Sequence, residues 1–300
     1  MVVQGSQQGH VAQIIDGKAV AKTIRAQLKV DIDALVGKGH RRPGLAVVLA
    51  GDDAASALYV KNKIKACKEV GIESFFHKFD ADITLEQLTA CVQALSQQAD
   101  DVDGILVQLP LPGRLPAEGV LQALSPEKDV DGLTTISMGR LLEGKPGLRP
   151  CTPSGVIELL KQNKVEISGK RAVVVGRSNL VGKPAALLLM QHNATVTVCH
   201  SKSEQLDEIC RSADILVVAA GRKQFVKGSW VKPGACVIDV GIHHDKNEQG
   251  QSEICGDVEF AEASRVAAWI TPVPGGVGPM TIAMLLSNTL TAYKMRKGVK

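Results

Sequence analysis

RAVVVGRSNLVGKPAALLLM, residues 171–190, decides the fold. A short run of buried-type residues breaks at Gly176, passes through a polar turn, and resumes as a helical pattern of Ala and Leu. Strand, glycine turn and helix in that order form the first unit of a doubly wound α/β domain. Gly176, Ser178 and Gly182 occupy a variant of the dinucleotide-binding fingerprint. Glycine allows a tight turn off the strand, a small residue at 178 lets backbone N–H groups approach a phosphate, and the helix N-terminus adds positive potential. The ordinary alternative is a strand-to-helix turn with a solvated arginine.

The flanks repeat this alternation. Strands are expected at 194–201, 215–221, 235–241 and 267–273, with helices near 181–193 and 203–213. At the end of the domain's second strand, 194–201, a dinucleotide site for NAD usually offers a carboxylate to the ribose 2′-hydroxyl. Here the residues are Cys199, His200, Ser201 and Lys202. With Arg177 inside the turn and no acid at the strand end, a 2′-phosphate is favoured, and the expected cofactor is NADP.

Upstream the same grammar recurs. GLAVVLAG (44–51), ESFFHKF (73–79) and GILVQLP (104–110) read as strands. Between them lie a helix at 57–70, capped by Ser56 and ended by Gly71, and a helix opening at Thr84 with Leu85, Leu88, Val92 and Leu95 on one face. Residues 110–150 are richer in Pro and Gly and read as the crossing between domains, with a short helix near 118–124. A helix at 154–163 has Thr152 as its expected cap and Pro153 in its first turn, and a last apolar helix starts near Thr281. The expectation is therefore α/β: two parallel-sheet domains, the second a Rossmann-type NADP-binding domain, with a cleft between them.

Composition narrows the class. The 300 residues are 45% hydrophobic but only 3% aromatic, so the cores must be aliphatic, as buried parallel sheets are. A net charge of +4 suits an anionic ligand but is far from the basic stripe of a nucleic-acid binder. The seven cysteines include no CxxC pair, which argues against a structural zinc site or disulfide framework and for a reducing cytoplasm. No metal site is expected, since Glu127, Asp129 and Asp131 have no histidine nearby. The polar opening, residues 1–10, lacks the marks of a signal peptide, and no apolar run is long enough to span a bilayer.

Candidate chemistry outside the phosphate turn is quieter. Tyr59 and Lys63, four apart, share a helix face, but with Lys61, Lys65 and Lys68 alongside, the pattern alone favours a solvated basic face. Gln108 stands out in an apolar strand, near the carboxyl end where ligands bind in open α/β sheets. A buried amide needs partners, which the backbone could supply. Asp131 lies in an acidic loop as a turn residue, a cap or a ligand to a ring's donor edge. TPVPGGVGPMT (271–281) is either a hinge or a turn whose glycines let backbone approach a ligand.

Taken in order, YVKNKIKAC (59–67), GILVQLPLP (104–112), PEKDVDG (126–132), PCTPSG (150–155), VVVGRSNLVGKP (173–184) and TPVPGGVGPMT resemble the signature blocks of the bifunctional methylenetetrahydrofolate dehydrogenase/cyclohydrolase family. The resemblance runs from about Ile15 to the end. It implies a folate-binding catalytic domain, 12–150 plus 280–300, a Rossmann-type NADP domain, 151–279, and a homodimer of one-carbon metabolism serving purine biosynthesis. It implies Lys63 as the central catalytic residue with Tyr59, Gln108 and Asp131 beside it. Val107, Leu109, Pro274, Gly275, Gly276, Val277 and Gly278 would line the folate site. Gly176, Arg177, Ser178, Ser201 and Ile242 would bind NADP. The activity implied is oxidation of 5,10-methylenetetrahydrofolate followed by hydrolysis of the methenyl product to 10-formyltetrahydrofolate. A monofunctional dehydrogenase is the nearest rival, and Lys63 argues for both activities. A dehydrogenase acting on shikimate, or a non-catalytic nucleotide sensor, would have no reason for the Lys63 and Gln108 set.

Overall fold

The computed structural model describes residues 11–246 and 252–299. The polar leader of residues 1–10 lies outside the described residues. In chain order the elements are β1 (Gln13–Ile14), α1 (Gly17–Gly37), β2 (Gly44–Ala50), α2 (Ala54–Val70), β3 (Glu73–Phe79), α3 (Leu85–Gln97), β4 (Gly104–Val107), α4 (Ala117–Gln122), α5 (Thr135–Leu142) and α6 (Cys151–Gln162). Then come β5 (Arg171–Val175), α7 (Gly182–Gln191), β6 (Thr195–Cys199), α8 (Leu206–Arg211), β7 (Ile215–Val218), β8 (Cys236–Asp239), β9 (His243–Lys246), β10 (Ser252–Cys255), α9 (Phe260–Ala263), β11 (Trp269–Ile270) and α10 (Val277–Lys297).

The chain divides into two compact units. One holds Ala19–Gly155 and the residues from Met280 on; the other holds the residues up to Lys18 and Val156–Pro279. The boundaries fall inside α1, α6 and α10 rather than in the Pro- and Gly-rich stretch 110–150. That stretch folds onto the first unit: Ile105 bridges to Asp129, and Val130 is fully buried. Residues 12–18 lie with the second unit because β1 pairs with β11.

The first unit is built on a parallel three-stranded sheet in the order β3-β2-β4. Every residue of β2 is buried, and the two-residue period of a strand sorts them. Leu45, Val47 and Leu49 face a core made with Ile32 of α1, Val60 and Cys67 of α2, and Leu286 and Leu290 of α10. Ala46, Val48 and Ala50 face Leu88 and Val92 of α3 and Val120 of α4. The second unit carries a parallel six-stranded sheet, β1-β11-β8-β7-β5-β6, and an antiparallel hairpin of β9 and β10. Its order turns back at β5, so the crevice for a ligand lies at the carboxyl ends of β5 and β7.

Several expected boundaries move. Asp53, not Ser56, caps α2: its carboxylate accepts the Ser56 N–H at 2.7 Å, and the helix starts a turn earlier. Gly71 does end α2, in the left-handed conformation at φ 87°. Thr84 and Gln87 form a reciprocal capping box at α3. β4 stops at Val107, so Gln108 lies just past it, though its N–H still reaches Val48 O at 2.9 Å. α6 opens at Cys151, leaving Thr152 inside the helix, where it hydrogen-bonds Thr281 at 2.9 Å instead of capping. α10 opens at Val277 rather than Thr281, with Gly278 and Pro279 in its first turn. The strand expected at 267–273 shrinks to Trp269–Ile270.

Candidate active site

In the first unit α2 brings Tyr59 and Lys63 to one face, one turn apart. Lys61, Lys65 and Lys68 are exposed, so the basic-face reading holds for them; Lys63 is half-buried. Its Nζ donates to Gln108 Oε1 at 2.9 Å. Gln108 Nε2 donates to Leu109 O at 2.6 Å, which fixes the amide with its oxygen toward the lysine. The backbone-partner reading of Gln108 is thus realised at one end of its amide, and Lys63 takes the other end. Tyr59, beside Lys63 on the helix, keeps 40% of its surface exposed.

The three acids of the 127–131 loop separate by environment. Glu127 accepts from Ser125 Oγ at 2.8 Å and pairs with Arg140 at 3.4 Å. Asp129 is fully buried and accepts the N–H groups of Leu133 and Thr134, which makes it structural. Asp131 is the one coupled to Lys63. Burial pushes the Lys63 amine below the usual lysine range, while the charge of Asp131 pulls it back. Burial likewise pushes Asp131 above the usual carboxylate range, against the pull of Lys63. Desolvation disfavours charge on both groups, and it outweighs their mutual attraction here. The low value of Lys63 therefore comes from burial and not from neighbouring lysines.

Two members of this cluster escaped sequence reasoning. Cys151 is buried, and its thiol donates to Val130 O at 3.2 Å. Burial and the Asp131 charge hold it well above the ordinary thiol range, so it is a neutral group in the wall. Asn288 of α10 donates from Nδ2 to Val130 O and Arg149 O, each at 2.8 Å, tying the Asp131 loop to the start of α6. The only signals were a cysteine at the head of the PCTPSG block and an asparagine inside an apolar helix. Val107 is different: its side chain packs in the α3 face of the core, so only its backbone is available to a ligand. Leu109 is half-buried.

In the second unit the phosphate-type turn has steric logic. Gly176 sits at φ 125°, and a Cβ there would strike Ala219 O. A Cβ on Gly182 would strike Gly176 O. Ser178 Oγ accepts the N–H groups of Val181 and Gly182 at 3.1 and 3.4 Å, tightening the start of α7. Arg177, Ser178 and Ser201 are exposed, and Ile242 is 45% exposed. No ion pair among the described residues involves Arg177. These groups lie at the carboxyl ends of β5, β6 and β8, the edge where a dinucleotide binds. Closely approachable backbone, a helix N-terminus and a free arginine without a competing carboxylate fit a dinucleotide bearing a 2′-phosphate.

The 274–278 turn also belongs to this unit through Val277 and Gly278. Lys18 N–H donates to Gly275 O at 3.0 Å, and a Cβ on Gly17 would strike Gly276 O. Gly275 has φ 113°, and a Cβ on Gly276 would sit 2.6 Å from Pro272 O. The turn therefore packs against the start of α1. Gly278 meets no such constraint. Among the described residues no group of three or more His, Cys, Asp or Glu could hold a metal ion, and no helix is long and apolar enough to cross a membrane.

Residues 15–131 match the family model described as tetrahydrofolate dehydrogenase/cyclohydrolase, catalytic domain. Residues 150–297 match that family's NAD(P)-binding domain. A bifunctional protein FolD from Acetivibrio thermocellus is 50% identical over 289 residues, covering 96% of this chain and 99% of that one. The crystal structure of a bifunctional FolD from Campylobacter jejuni is 45% identical with a TM-score of 0.90, covering 95% of this chain and 99% of that one. The Trypanosoma brucei N5,N10-methylenetetrahydrofolate dehydrogenase-cyclohydrolase, solved with NADP cofactor and inhibitor, is 42% identical with a TM-score of 0.90, covering 96% and 99%.

Proposed function

The chain belongs to the tetrahydrofolate dehydrogenase/cyclohydrolase family, and on that premise we propose how its own residues divide the work. It is a bifunctional enzyme: an NADP-dependent methylenetetrahydrofolate dehydrogenase and a methenyltetrahydrofolate cyclohydrolase. Bound NADP⁺ supplies the hydride acceptor for the methylene carbon of 5,10-methylenetetrahydrofolate. Gly176, Arg177 and Ser178 of the turn, with Ser201, hold the cofactor, Arg177 and Ser201 taking the 2′-phosphate. Ile242 lies toward the nicotinamide end.

Lys63 carries the second step. Water attacking the methenyl carbon must lose a proton, and an amine with a depressed pKa is available to take it. The observation behind this role is the half-buried amine held on Gln108 Oε1, in surroundings that disfavour its charge. Gln108, oriented by Leu109 O, sets the direction of the lysine. Asp131, its pKa raised, holds the pterin ring, and the ring of Tyr59 packs on the folate. The backbone of Val107, with Leu109, lines the folate site.

Purified Lys63→Met should lose methenyl hydrolysis by about 10²- to 10⁴-fold, the usual contribution of a general base, and keep NADP-dependent oxidation. Full hydrolysis by that variant would refute the role of Lys63. A homodimer also fits. β6 is an edge strand with Thr195, Thr197 and Val198 exposed, which suits pairing with a second copy. The seven cysteines are all free, as a reducing cytoplasm would keep them.

A further inference from the structure

Two fully buried carboxylates in the second unit are left over from this mechanism. Asp239 ends β8 and Asp257 follows β10. Asp257 Oδ2 accepts the N–H groups of Ala220 and Gly221 at 2.6 and 2.9 Å, and its Oδ1 accepts that of Arg222 at 3.0 Å. Three consecutive backbone N–H groups thus converge on one internal anion, the geometry of an anion nest. Oδ1 also meets His243 Nε2 at 2.7 Å. Asp239 holds Asp257 in turn, accepting the N–H groups of Asp257 and Val258 at 2.9 Å each, and that of Gly241 at 2.9 Å. The fit leaves no slack: a Cβ on Gly241 would strike the Asp257 carboxylate, and one on Gly256 the Asp239 carboxylate.

What Asp257 ties together is specific. The 219–222 segment is the loop after β7, and Ala219 O is the wall against which Gly176 packs. Gly241, in the loop after β8, and His243, the first residue of β9, flank Ile242. One side chain therefore fixes both loops at the carboxyl edge of the sheet, one supporting the phosphate turn and one carrying Ile242. A structural carboxylate elsewhere in the unit would have no reason to join these two segments. We propose that Asp257 is a positioning residue for the cofactor site, pre-ordering the loops at 219–222 and 241–243 with His243 as its second anchor. The inference rests on the reading that NADP binds at Gly176 to Ser178 and near Ile242.

Asp257→Asn is the test, because the amide keeps the size but has only one acceptor oxygen for three N–H groups and the histidine. The KM for NADP⁺ in the dehydrogenase assay should rise roughly tenfold, the fold-change for one lost hydrogen bond to a charged group, with kcat little changed. The KM for NAD⁺ should rise by the same factor, because loop order and not the 2′-phosphate is lost. Methenyl hydrolysis measured without cofactor should stay at the wild-type level. An unchanged KM for NADP⁺, or parallel loss of both activities in a soluble variant, overturns the proposal. Should Asp257→Asn fail to fold, His243→Gln decides: a smaller rise in KM with hydrolysis intact supports the role, and an unchanged KM overturns it. Direct titration of the wild-type enzyme with NADP⁺ separates the two layers. No binding there removes the cofactor-site reading itself, whereas wild-type binding with an unaffected variant removes only Asp257.

Discussion

A lysine becomes a base when its surroundings penalise its charge more than its partners reward it. Lys63 has one neutral acceptor, Gln108 Oε1, and one anionic neighbour, Asp131, and burial outweighs both. The neutral amine is then the competent form. Cyclohydrolase activity should rise with pH through an ionisation below the ordinary lysine value of about 10.4, and fall as the amine is protonated at lower pH. A pH–rate profile flat across that range would argue for a fixed cation instead. Lys63→Arg, permanently charged, should be inactive in hydrolysis at every pH measured. Arg177 has the opposite duty, since it must stay charged and free. Arg177→Ala should weaken NADP⁺ by about 10- to 100-fold, the range for a hydrogen bond to a charged group, and leave NAD⁺ nearly unchanged. Equal losses for both cofactors in a titration would sink that role. Gln108 stood out because a polar residue in an apolar run demands a partner, whereas Lys63, set among exposed lysines, was singled out only by the family resemblance. Cys151 and Asn288 were not, because their contacts join positions about 137 apart in the chain.

Helix starts show where local chemistry is enough. Thr84 and Gln87 satisfy each other's backbone N–H, and the S/T-x-x-E/Q spacing declares it in sequence. Thr84→Ala should cost about 1 kcal/mol, seen as a lower urea midpoint with both activities intact at low denaturant. A midpoint unchanged from wild type would show the cap to be idle. Other starts misled for a physical reason. Pro153 and Pro279 each fall in a first turn, where no N–H is needed, so α6 and α10 open at Cys151 and Val277, upstream of the starts expected at 154 and near Thr281. The strands HHDK and SEIC of the β9–β10 hairpin carry no apolar alternation at all. Their pairing, with His243 opposite Cys255, is visible only once the chain has folded.

At the scale of the whole chain, the first unit is assembled from segments far apart in sequence, and something must bind them. The apolar face of α10 supplies Leu286, Leu290 and Tyr293 to the core beneath β2. Asp103, fully buried at the head of β4, adds a directional lock. It accepts from Arg41 Nη1 and Nη2 at 2.7 and 2.9 Å, from Arg296 Nη1 of α10 at 2.6 Å, and from the N–H of Gly44 at 2.9 Å. Arg41 also lies over the ring of Tyr293, 5.1 Å from its centroid. Alternating strands and helices in the sequence announce two sheets but cannot announce this closure, because its members are nearly 200 residues apart. Removing the shared acceptor leaves two guanidinium groups facing each other without compensation. Asp103→Ala should therefore destabilise the first unit by about 3 kcal/mol, the low end for breaking a buried pair, since both arginines retain some solvent. The second unit has its own core and sheet, so NADP⁺ titration near room temperature should be unaltered while hydrolysis is lost first on heating. If cofactor binding and hydrolysis instead fail together at one temperature, the two units unfold as one cooperative block, and Asp103 stabilises the chain as a whole and not its first unit.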